Sequence, residues 1–495
     1  MVALCVDAGT TVIKTVAYDE DGREIGAARR PTRISSPHAG FAEQDMDEVW
    51  AATAATLREA ARGDIDLIVV TGQGDGCWLV DGHGRPTGPA MLWNDGRAAS
   101  IVSTWQNEGR TEKAFRINGS VGFAGLPHAI LSWLARHEPD RLERSQTALT
   151  CGGWLFRCLT GETAIDESEA AAPWLDVAAR EYSAEILELF GMPWAERLLP
   201  QLRRDDQRVA ELSSEAAGRI GLEAGIPVVM APYDLATASL GAGAVEERQA
   251  CAILGTTLST QVVTSSVDLS GPPTGLTVPL GVDALYLRAL PTLAGTQVLA
   301  WAARLLQLSD EAALCALGTS VKPGAGGVFF LPYLSPAGER VPFVDSNARG
   351  LFAGVSLDHD REHMARAVLE GLTYVIRECI EVVGTTPSEL RVCGGGANSG
   401  EWCQLIADVV GVPVVRSVDS EVGARGAYCY GMVAAGRVPD HATAVSSYVR
   451  ARDQFRPDPA RQAPYDELFA DFLALRADAA RSWPRLARTR SRLTP

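Results

Sequence analysis

The apolar positions of this chain form short runs separated by polar, glycine-containing turns, and the first example stands at the N-terminus. Residues 2–6 form a continuous apolar run that predicts a buried strand, and residues 12–18 predict its hairpin partner. Between them, Asp7-Ala8-Gly9-Thr10-Thr11 brings a carboxylate, two hydroxyls and a glycine to one tight turn. Such a turn can hold a phosphate on backbone N–H groups and hydroxyls while Asp7 faces its metal ion. An ordinary polar turn explains this segment equally well when it is taken alone.

The same pattern returns near the middle of the chain. Residues 251–254 are apolar, Gly255-Thr256-Thr257 follows as the turn, and a second strand begins at Leu258. Two turns of phosphate-binding type, each at the head of one half of the chain, predict two related lobes that close on one nucleotide. We expect two α/β lobes, each built on a mixed sheet that starts with its hairpin. The crossover is expected near residues 241–248, with the two turns facing each other across a cleft.

Two further apolar runs end in polar loops, which is where α/β sheets hold ligand groups. Residues 65–70 lead into Thr71-Gly72-Gln73-Gly74-Asp75-Gly76, and residues 226–231 stop at Pro232-Tyr233-Asp234 before a small-residue helix over 235–241. Asp234 at that strand-to-helix junction is an N-cap or a catalytic carboxylate, and its position alone favours the cap. Asp75 is a turn residue or an acceptor of hydrogen bonds from substrate hydroxyls.

Helical periodicity marks the connecting segments. It predicts a helix over 46–61 capped by Asp45 or Asp47, helices within 117–202, and a long helix with a buried stripe over 364–383 capped by Asp360. A strand over 390–393 runs into Gly394-Gly395-Gly396, where a flat or bulky group could approach the backbone closely, and close packing of a helix on the strand explains these glycines nearly as well. The expected domains are 1–244, 245–437 and a helical tail over 438–495.

Composition excludes several classes of function. The 495 residues carry a formal net charge of −16 and no basic stripe, which argues against a nucleic-acid partner. The ten cysteines form no CxxC pair and no zinc-type cluster, which indicates a reducing compartment. With no signal pattern and no long apolar run, we expect a cytoplasmic protein without a membrane partner. Lysine is scarce, so Lys14 beside the first turn is a candidate phosphate ligand, although a solvated strand residue is the simpler interpretation.

Taken in order, these segments resemble the carbohydrate kinases of the FGGY family, whose fold is shared with actin, the Hsp70 ATPase domain and hexokinase. The resemblance covers nearly the whole chain. Its motifs are Asp7-x-Gly9-Thr10-Thr11-x-x-Lys14, Glu43-Gln44-Asp45, Gly72-Gln73, Trp93-Asn94-Asp95-x-Arg97, Leu159-Thr160-Gly161-Glu162, Asp166-x-Ser168, Pro227-Val228, Asp234, Gly255-Thr256-Thr257, Leu331-Pro332-Tyr333-Leu334, Gly338-Glu339-Arg340-x-Pro342, Arg349-Gly350, Arg366-Ala367-x-x-Glu370-Gly371, Gly394-Gly395-Gly396-Ala397-x-Ser399 and Ala407-Asp408.

The resemblance implies two ribonuclease H-like lobes with a central cleft, and ATP- and Mg²⁺-dependent transfer of the γ-phosphate to a sugar or polyol hydroxyl. By position, Asp234 matches the general base and Asp7 the carboxylate at the magnesium. The positions implied for the acceptor are Gln73, Gly74, Asp75, Trp93, Asp95, Arg97 and Asp234. The positions implied for the nucleotide are Thr10, Thr11, Lys14, Gly255, Thr256 and Thr257 at the phosphates, and Gly395, Gly396 and Asn398 at the adenosine. No Walker-type motif and no complete GxGxxG is present.

The sequence departs from the family's best-known members at the acceptor site. Xylulokinase-like enzymes carry Gln-Met-His-Gly where this chain has Gln73-Gly74-Asp75-Gly76, and many relatives carry Asn or Gln at Leu235. The departures predict a roomier site with a hydroxyl-accepting carboxylate, similar to the erythritol-kinase and related polyol or L-pentulose branch. D-xylulose is the alternative substrate.

Two other classes of function are alternatives to a small-molecule kinase. A catalytically silent sugar sensor on the same fold would need a lost base or a broken phosphate turn, and a chaperone- or actin-like ATPase would not need the segment from Gln73 to Arg97. The expected partner is therefore a small polyol or sugar, with a homodimer left open.

Overall fold

A computed structural model describes residues 1–493. The chain folds into two compact units, each assembled from separate stretches of sequence. The first unit comprises Met1–Val245, Thr264–Leu287 and Glu421–Val449. The second comprises Glu246–Val263, Arg288–Ser420 and the described chain from Arg450 onward.

The strands are short, and most of them lie in two central sheets. In chain order they are β1 Ala3–Ala8, β2 Val12–Tyr18, β3 Glu24–Pro31, β4 Glu43–Gln44, β5 Leu67–Gly72, β6 Trp78–Val80, β7 Ala90–Met91, β8 Thr147–Leu149, β9 Ala164–Asp166, β10 Leu175–Asp176, β11 Glu181–Tyr182, β12 Gln201–Arg203, β13 Val209–Glu211, β14 Pro227–Met230, β15 Gln249–Leu254, β16 Leu258–Thr264, β17 Leu276–Pro279, β18 Tyr286–Pro291, β19 Phe329–Leu331, β20 Leu351–Ala353, β21 Glu389–Cys393, β22 Val414–Ser417 and β23 Ala451–Phe455.

The α-helices cover the sheets and build the connecting regions. They are α1 Met46–Ala60, α2 Ala99–Asn107, α3 Arg110–Asn118, α4 Pro127–His137, α5 Pro139–Arg144, α6 Cys151–Thr160, α7 Glu167–Trp174, α8 Ala184–Leu189, α9 Ser214–Ile220, α10 Asp234–Ala242, α11 Thr296–Leu305, α12 Glu311–Thr319, α13 Arg361–Val383, α14 Gly400–Val410, α15 Val422–Ala434, α16 His441–Tyr448, α17 Pro459–Ala480 and α18 Trp483–Leu493. Over residues 1–493, none of the helices has the length and apolarity that crossing a bilayer requires.

The sheet of the first unit decides where the site forms. Its strand order is β13-β14-β5-β1-β2-β3, with β1 antiparallel to β2 and parallel to β5, and β5 parallel to β14. The carboxyl ends of β1, β5 and β14 therefore meet at one edge of the sheet. Asp7 near the end of β1, the loop after β5 and Asp234 after β14 come together there because of this parallel register. Strand β5 is buried along its whole length.

The second unit repeats the plan with a separate mixed sheet. Five of its strands run in the order β16-β15-β21-β22-β23, with β23 at the edge, β15 antiparallel to β16 and β15 parallel to β21. Helix α13 packs against α12 and α14, and buries almost its entire apolar stripe. The two mixed sheets confirm the predicted α/β architecture.

Local capping chemistry accounts for the helix predictions that the structure confirms. Asp45 caps α1, because its carboxylate accepts a hydrogen bond of 2.9 Å from the backbone N–H of Glu48. Asp360 caps α13 in a reciprocal arrangement with His363, so this predicted cap is confirmed as well. Asp45 thus satisfies a backbone N–H in the first turn of α1, while at α13 the backbone N–H of Asp360 donates to Nδ1 of His363 at 3.2 Å.

Candidate active site

Three carboxylates gather at the carboxyl edge of the first sheet. Asp7 lies in β1, Asp75 follows β5 and Asp234 begins α10, and each side chain is half-buried. Burial, Asp7 and Asp75 together raise the pKa of Asp234 to about 8. Burial also raises the pKa of Asp7, against the opposing effect of Lys14 and with a contribution from Glu421. Like charges held this close favour a site that receives a cation or a proton.

Asp234 is not the N-cap of its helix. The N-cap residue of α10 is Tyr233, whose side chain makes no capping bond, and Asp234 is already the first helical residue. The capping interpretation favoured by position alone is therefore wrong, because the helix begins one residue earlier than that interpretation requires.

The backbone that carries Asp234 is held by buried polar groups. The N–H of Tyr233 donates to Oγ of Ser168 at 3.0 Å, and that hydroxyl donates to Oδ1 of Asp166 at 2.6 Å. The hydroxyl of Thr71 donates to the carbonyl of Pro232 at 2.7 Å. The segment before Asp234 is thereby fixed to both β5 and α7.

Asp75 stands in the left-handed region of backbone space, with φ of 56°. A non-glycine residue seldom adopts this conformation, although aspartate tolerates it better than most. Residues held in this way concentrate at functional sites, where the surrounding structure fixes them. The next residue, Gly76, also has positive φ, and a Cβ there would lie 2.6 Å from the carbonyl oxygen of Met91. The loop after β5 is thus tightly packed.

Gly74 does not open the site. A Cβ at this position would lie 2.5 Å from Cε2 of Tyr233, so the Tyr233 ring occupies the space that a side chain would fill. The expectation of a roomier site from this glycine is wrong, because an aromatic ring from a distant part of the sequence takes up the volume.

A closed set of hydrogen bonds joins the first turn to the loop after β5. Thr10 Oγ1 donates to Gln73 Oε1 at 2.8 Å and accepts from Trp93 Nε1 at 3.0 Å. Gln73 Nε2 donates to Gln44 Oε1 at 2.8 Å, and Gln44 Nε2 returns to the Thr10 carbonyl at 2.7 Å. The hydroxyl of Thr10 is therefore engaged within the protein, and its predicted phosphate contact would compete with this network. Gln44, which lies in the Glu43-Gln44-Asp45 motif, is a member of this network that the sequence alone does not identify as a site residue.

Asp95 and Arg97 face each other rather than open solvent. Their side chains are 0% and 1% exposed, and Arg97 Nε donates to Asp95 Oδ1 at 2.8 Å. Arg97 Nη2 also donates to Glu43 at 2.5 Å, and the guanidinium lies 4.0 Å from the centre of the Phe41 ring. These contacts use the charges of both residues to hold the loop that carries Trp93. We interpret Asp95 and Arg97 as residues that support the loop carrying Trp93.

The segment from Glu421 to Gly423, at the start of α15, also lies beside Asp7, although none of its residues is a candidate from the sequence. Lys14 Nζ pairs with Glu421 Oε2 at 2.8 Å, and Arg29 also pairs with Glu421. At the start of α15, a Cβ on Gly423 would lie 2.8 Å from Cγ of Asp7, with Oδ2 closer still. More than 400 residues separate Asp7 from this segment, and no motif linked them.

Glu169 is a further titratable group that the sequence did not reveal. It is buried in α7, and neither carboxyl oxygen reaches a partner within hydrogen-bond geometry. Burial, followed by the nearby Asp166, raises its pKa from the ordinary value of 4.5 to about 8. Its presence next to Cys151 and Asp166 makes the wall behind Asp234 rich in acid groups.

Replacing Glu169 by glutamine is expected to stabilise the protein at alkaline pH. Between pH 4.5 and 8 the folded state keeps a proton on Glu169 that the unfolded state releases, so this glutamate lowers stability as the pH rises through that interval. Glutamine resembles the protonated form. We expect Glu169→Gln to raise Tm by about 2–4 °C at pH 8.5 and to change it little at pH 4.5. Equal shifts at both pH values would contradict a role for the buried charge.

The nucleotide candidates lie together at one edge of the second sheet. Gly255, Thr256 and Thr257 connect β15 to β16, while Gly395, Gly396 and Asn398 follow β21. Because β15 and β21 are parallel neighbours, both groups emerge at the same edge.

The glycine run after β21 serves two different needs. A Cβ on Gly396 would lie 2.5 Å from Cζ3 of Trp402 in α14 and 2.9 Å from Cβ of Leu254, so close packing explains this glycine. A Cβ on Gly395 would meet nothing within 4 Å. Of these two, Gly395 has the open space that a ligand would need.

Family models cover most of the chain. Residues 2–241 match the N-terminal domain of the FGGY family of carbohydrate kinases, and residues 250–435 match its C-terminal domain.

Individual relatives span nearly the whole length. The chain is 32% identical to the erythritol kinase of Brucella abortus (strain 2308), covering 97% of each chain. It is 32% identical to the xylulose kinase of Escherichia coli (strain K12), covering 84% of this chain and 87% of that protein. The solved structure of the xylulose kinase from Rhodospirillum rubrum superposes with a TM-score of 0.89 at 29% identity, covering 98% of this chain and 100% of that one.

Proposed function

The chain belongs to the FGGY family of carbohydrate kinases, and from that premise we propose that its acceptor is a small linear polyol of the erythritol type. The enzyme is an ATP-dependent kinase that transfers a phosphoryl group to an alcohol of a sugar or polyol. The choice of a polyol over a ketopentose rests on one observation, the Asp75 carboxylate beside Asp234.

The chemistry of a carboxylate favours this choice. Ionised Asp75 only accepts hydrogen bonds, so it pairs with hydroxyl groups and has no donor for a carbonyl oxygen. A polyol offers a hydroxyl on every carbon, whereas a ketose presents a carbonyl at one of them. Hydrogen bonds from hydroxyls to a charged acceptor are also the stronger kind. The similarity to the erythritol kinase of Brucella abortus supports the same class of acceptor.

Asp234 is proposed as the general base for the acceptor hydroxyl. Its raised pKa suits proton uptake near neutral pH. Gln73 and Trp93 are proposed to line the acceptor site next to Asp75, while Asp95 and Arg97 hold the loop. Phosphoryl transfer needs positioning and charge neutralisation more than covalent help, and these side chains supply the positioning.

Mg²⁺ fits the donor set around Asp7. Carboxylate oxygens are the ligands that this ion prefers, and Asp7 lies close enough to Asp234 for the two negative charges to repel, which a bound cation would relieve. The ion would neutralise charge on the phosphates of ATP when bound. We propose Asp7 as the protein carboxylate that holds the ion. The charge of Lys14 also acts on Asp7, while its ammonium group pairs with Glu421.

The proposed nucleotide contacts lie in the second unit and in the first turn. We propose that Thr11 and the backbone around Thr10 contribute to phosphate binding together with Gly255, Thr256 and Thr257. Gly395, Gly396 and Asn398 are proposed to border the adenosine. We propose an acceptor domain over 1–244, a nucleotide domain over 245–437 and a helical tail over 438–495, while Thr264–Leu287 and Glu421–Val449 fold with the first unit.

Screening ATP consumption against a panel of acceptors tests the proposal. The panel holds glycerol, tetritols, pentitols and ketopentoses, including D- and L-xylulose, and ADP release is measured with each. We expect kcat/KM for a tetritol to exceed that for either xylulose by at least about ten-fold. A ketopentose as the best acceptor would overturn the polyol proposal, and binding of sugars without ATP consumption would favour the silent sensor.

Replacing Asp75 tests the observation that carries the proposal. Loss of charge-assisted hydrogen bonds of about 1.5–3 kcal/mol each should lower kcat/KM for the polyol by about ten- to a hundred-fold in Asp75→Ala. The KM for ATP should stay within about twofold, since the change touches only the acceptor side. An unaltered acceptor profile with merely lower thermal stability would return Asp75 to the role of a turn residue.

The isosteric variant Asp75→Asn serves as the matched control and has a pH signature. The negative charge of Asp75 raises the pKa of Asp234, so a neutral amide lowers that pKa. The acid limb of the kcat/KM profile should therefore move to lower pH in Asp75→Asn. An acid limb that stays in place or moves to higher pH would show that the charge of Asp75 does not raise the pKa of Asp234.

A further inference from the structure

Gly74 and Tyr233 are in direct contact just before the two carboxylates of the acceptor site. A Cβ on Gly74 would lie 2.5 Å from Cε2 and 3.0 Å from Cγ of Tyr233, so the ring rests on the backbone of residue 74. The tyrosine is 4% exposed, which makes its ring a fixed wall. Any residue larger than glycine at position 74 must displace the ring or the loop.

The backbone of Tyr233 is fixed at the start of α10. Its N–H donates to Ser168 at 3.0 Å, and its carbonyl accepts from the N–H groups of Ala236 and Thr237 at 2.9 and 3.2 Å. The residue before it, Pro232, accepts from the Thr71 hydroxyl. A clash that shifts the backbone of Tyr233 would thus move Asp234, the next residue.

The loop that carries Gly74 is fixed in the same way. The N–H of Gln73 donates to the carbonyl of Ala8 at 2.9 Å, and the N–H of Gly76 donates to the carbonyl of Gly125 at 3.0 Å. These two bonds lie on either side of Gly74 and Asp75. A shift of residue 74 would therefore act on Asp75, its immediate neighbour.

We propose that the Gly74–Tyr233 contact determines acceptor specificity by setting the span between the carboxylates of Asp75 and Asp234. Each residue of the contact immediately precedes one of the carboxylates. The span fixes how many carbons separate the hydroxyl bound by Asp75 from the hydroxyl that reacts, and so selects polyols by chain length. Both are positioning residues, and the inference rests on the proposed function.

A double-mutant cycle tests the contact. Gly74→Ala, Tyr233→Ala and the double variant are compared with the wild type on glycerol, erythritol and a pentitol. We expect Gly74→Ala alone to lower kcat/KM for the best wild-type acceptor by about ten-fold or more, with KM for ATP within about twofold. In the Tyr233→Ala background the same substitution should cost less than about threefold, because the clash is gone. Tyr233→Phe keeps the ring and is the matched control, with an unchanged ranking of the three polyols.

The pH profile provides a readout that general loss of stability would not move. The ionisable groups that face Asp234 are Asp7 on β1, Asp75 after β5 and the buried Cys151 thiol on α6. If Gly74→Ala separates Asp75 from Asp234, the acid limb of kcat/KM moves to lower pH, while Tyr233→Phe leaves it in place. The measurement needs only residual activity, so a destabilised variant is still informative below its Tm.

Two results would overturn the inference. One is additivity of the two alanine substitutions in kcat/KM, and the other is an unmoved acid limb together with an unchanged ranking of polyols in Gly74→Ala. Failure of the proposed function is distinguishable, because it shows in the wild type as a preference for a ketopentose. The cycle can then still be measured on that acceptor.

Discussion

Replacing Asp234 by asparagine is expected to lower kcat for the acceptor by about 10²–10⁴-fold, the usual cost of removing a positioned general base. The amide keeps the size of the side chain but cannot take the proton of the acceptor hydroxyl. Nucleotide binding should persist, since the proposed nucleotide residues Gly255–Thr257 and Gly395–Asn398 are untouched. Turnover with the true acceptor and a binding titration with ATP are the two measurements.

The pH dependence adds a second expectation for the same variant. With its pKa raised to about 8 by burial, Asp7 and Asp75, Asp234 in the free protein gains its charge only as the pH rises through that value. A cation bound at Asp7 would lower the pKa and bring ionisation into the neutral range. The wild type should therefore show an acid limb in kcat/KM, and the residual activity of Asp234→Asn should lack it. Near-full turnover in this variant would exclude Asp234 as the base.

The elements that sequence predicts well are those decided by neighbouring residues. The hairpin around Asp7 follows from two apolar runs and a polar turn, and the caps at Asp45 and Asp360 follow from carboxylates placed before helical periodicity. The parallel register of β1, β5 and β14 then brings the ends of these strands together. Local pattern and general sheet geometry were sufficient for this part of the site.

The sequence pattern could not predict contacts between segments that lie far apart in the chain. The ring of Tyr233 over Gly74 and the helix start at Gly423 beside Asp7 join residues separated by more than 150 positions. A glycine in the sequence does not reveal which side chain fills its space. Arg97 shows the same limit, because its place in a motif does not reveal that Asp95 and Glu43 pair with it.

Replacing Gly423 tests whether the start of α15 positions the Asp7 carboxylate. It is the second residue of α15, and its missing side chain makes room for the Asp7 carboxylate at the N-terminal end of that helix. A helix N-terminus favours a negative charge. An added methyl group would lie within 2.8 Å of Cγ of Asp7, so the carboxylate or the helix has to move.

We expect Gly423→Ala to lower kcat by about 10²-fold, because a displacement near 1 Å of a positioned group has a cost of this order. The Mg²⁺ concentration needed for half-maximal activity should rise as well, since Asp7 is the carboxylate proposed to hold the ion. Val422→Ala, one residue earlier in the same helix, removes atoms instead of adding them. As the control it should keep kcat within about threefold.

To assign the cause of the lower kcat, Gly423→Ala is repeated in a variant that lacks the Asp7 carboxylate. In an Asp7→Ala background the added methyl group no longer meets a carboxylate, so Gly423→Ala should change Tm much less than it does in the wild type. Equal changes of Tm in the two backgrounds would show that Gly423 serves only the packing of α15. An unchanged Mg²⁺ requirement in active Gly423→Ala would likewise show that Gly423 does not position Asp7, because the carboxylate would then be in its original place.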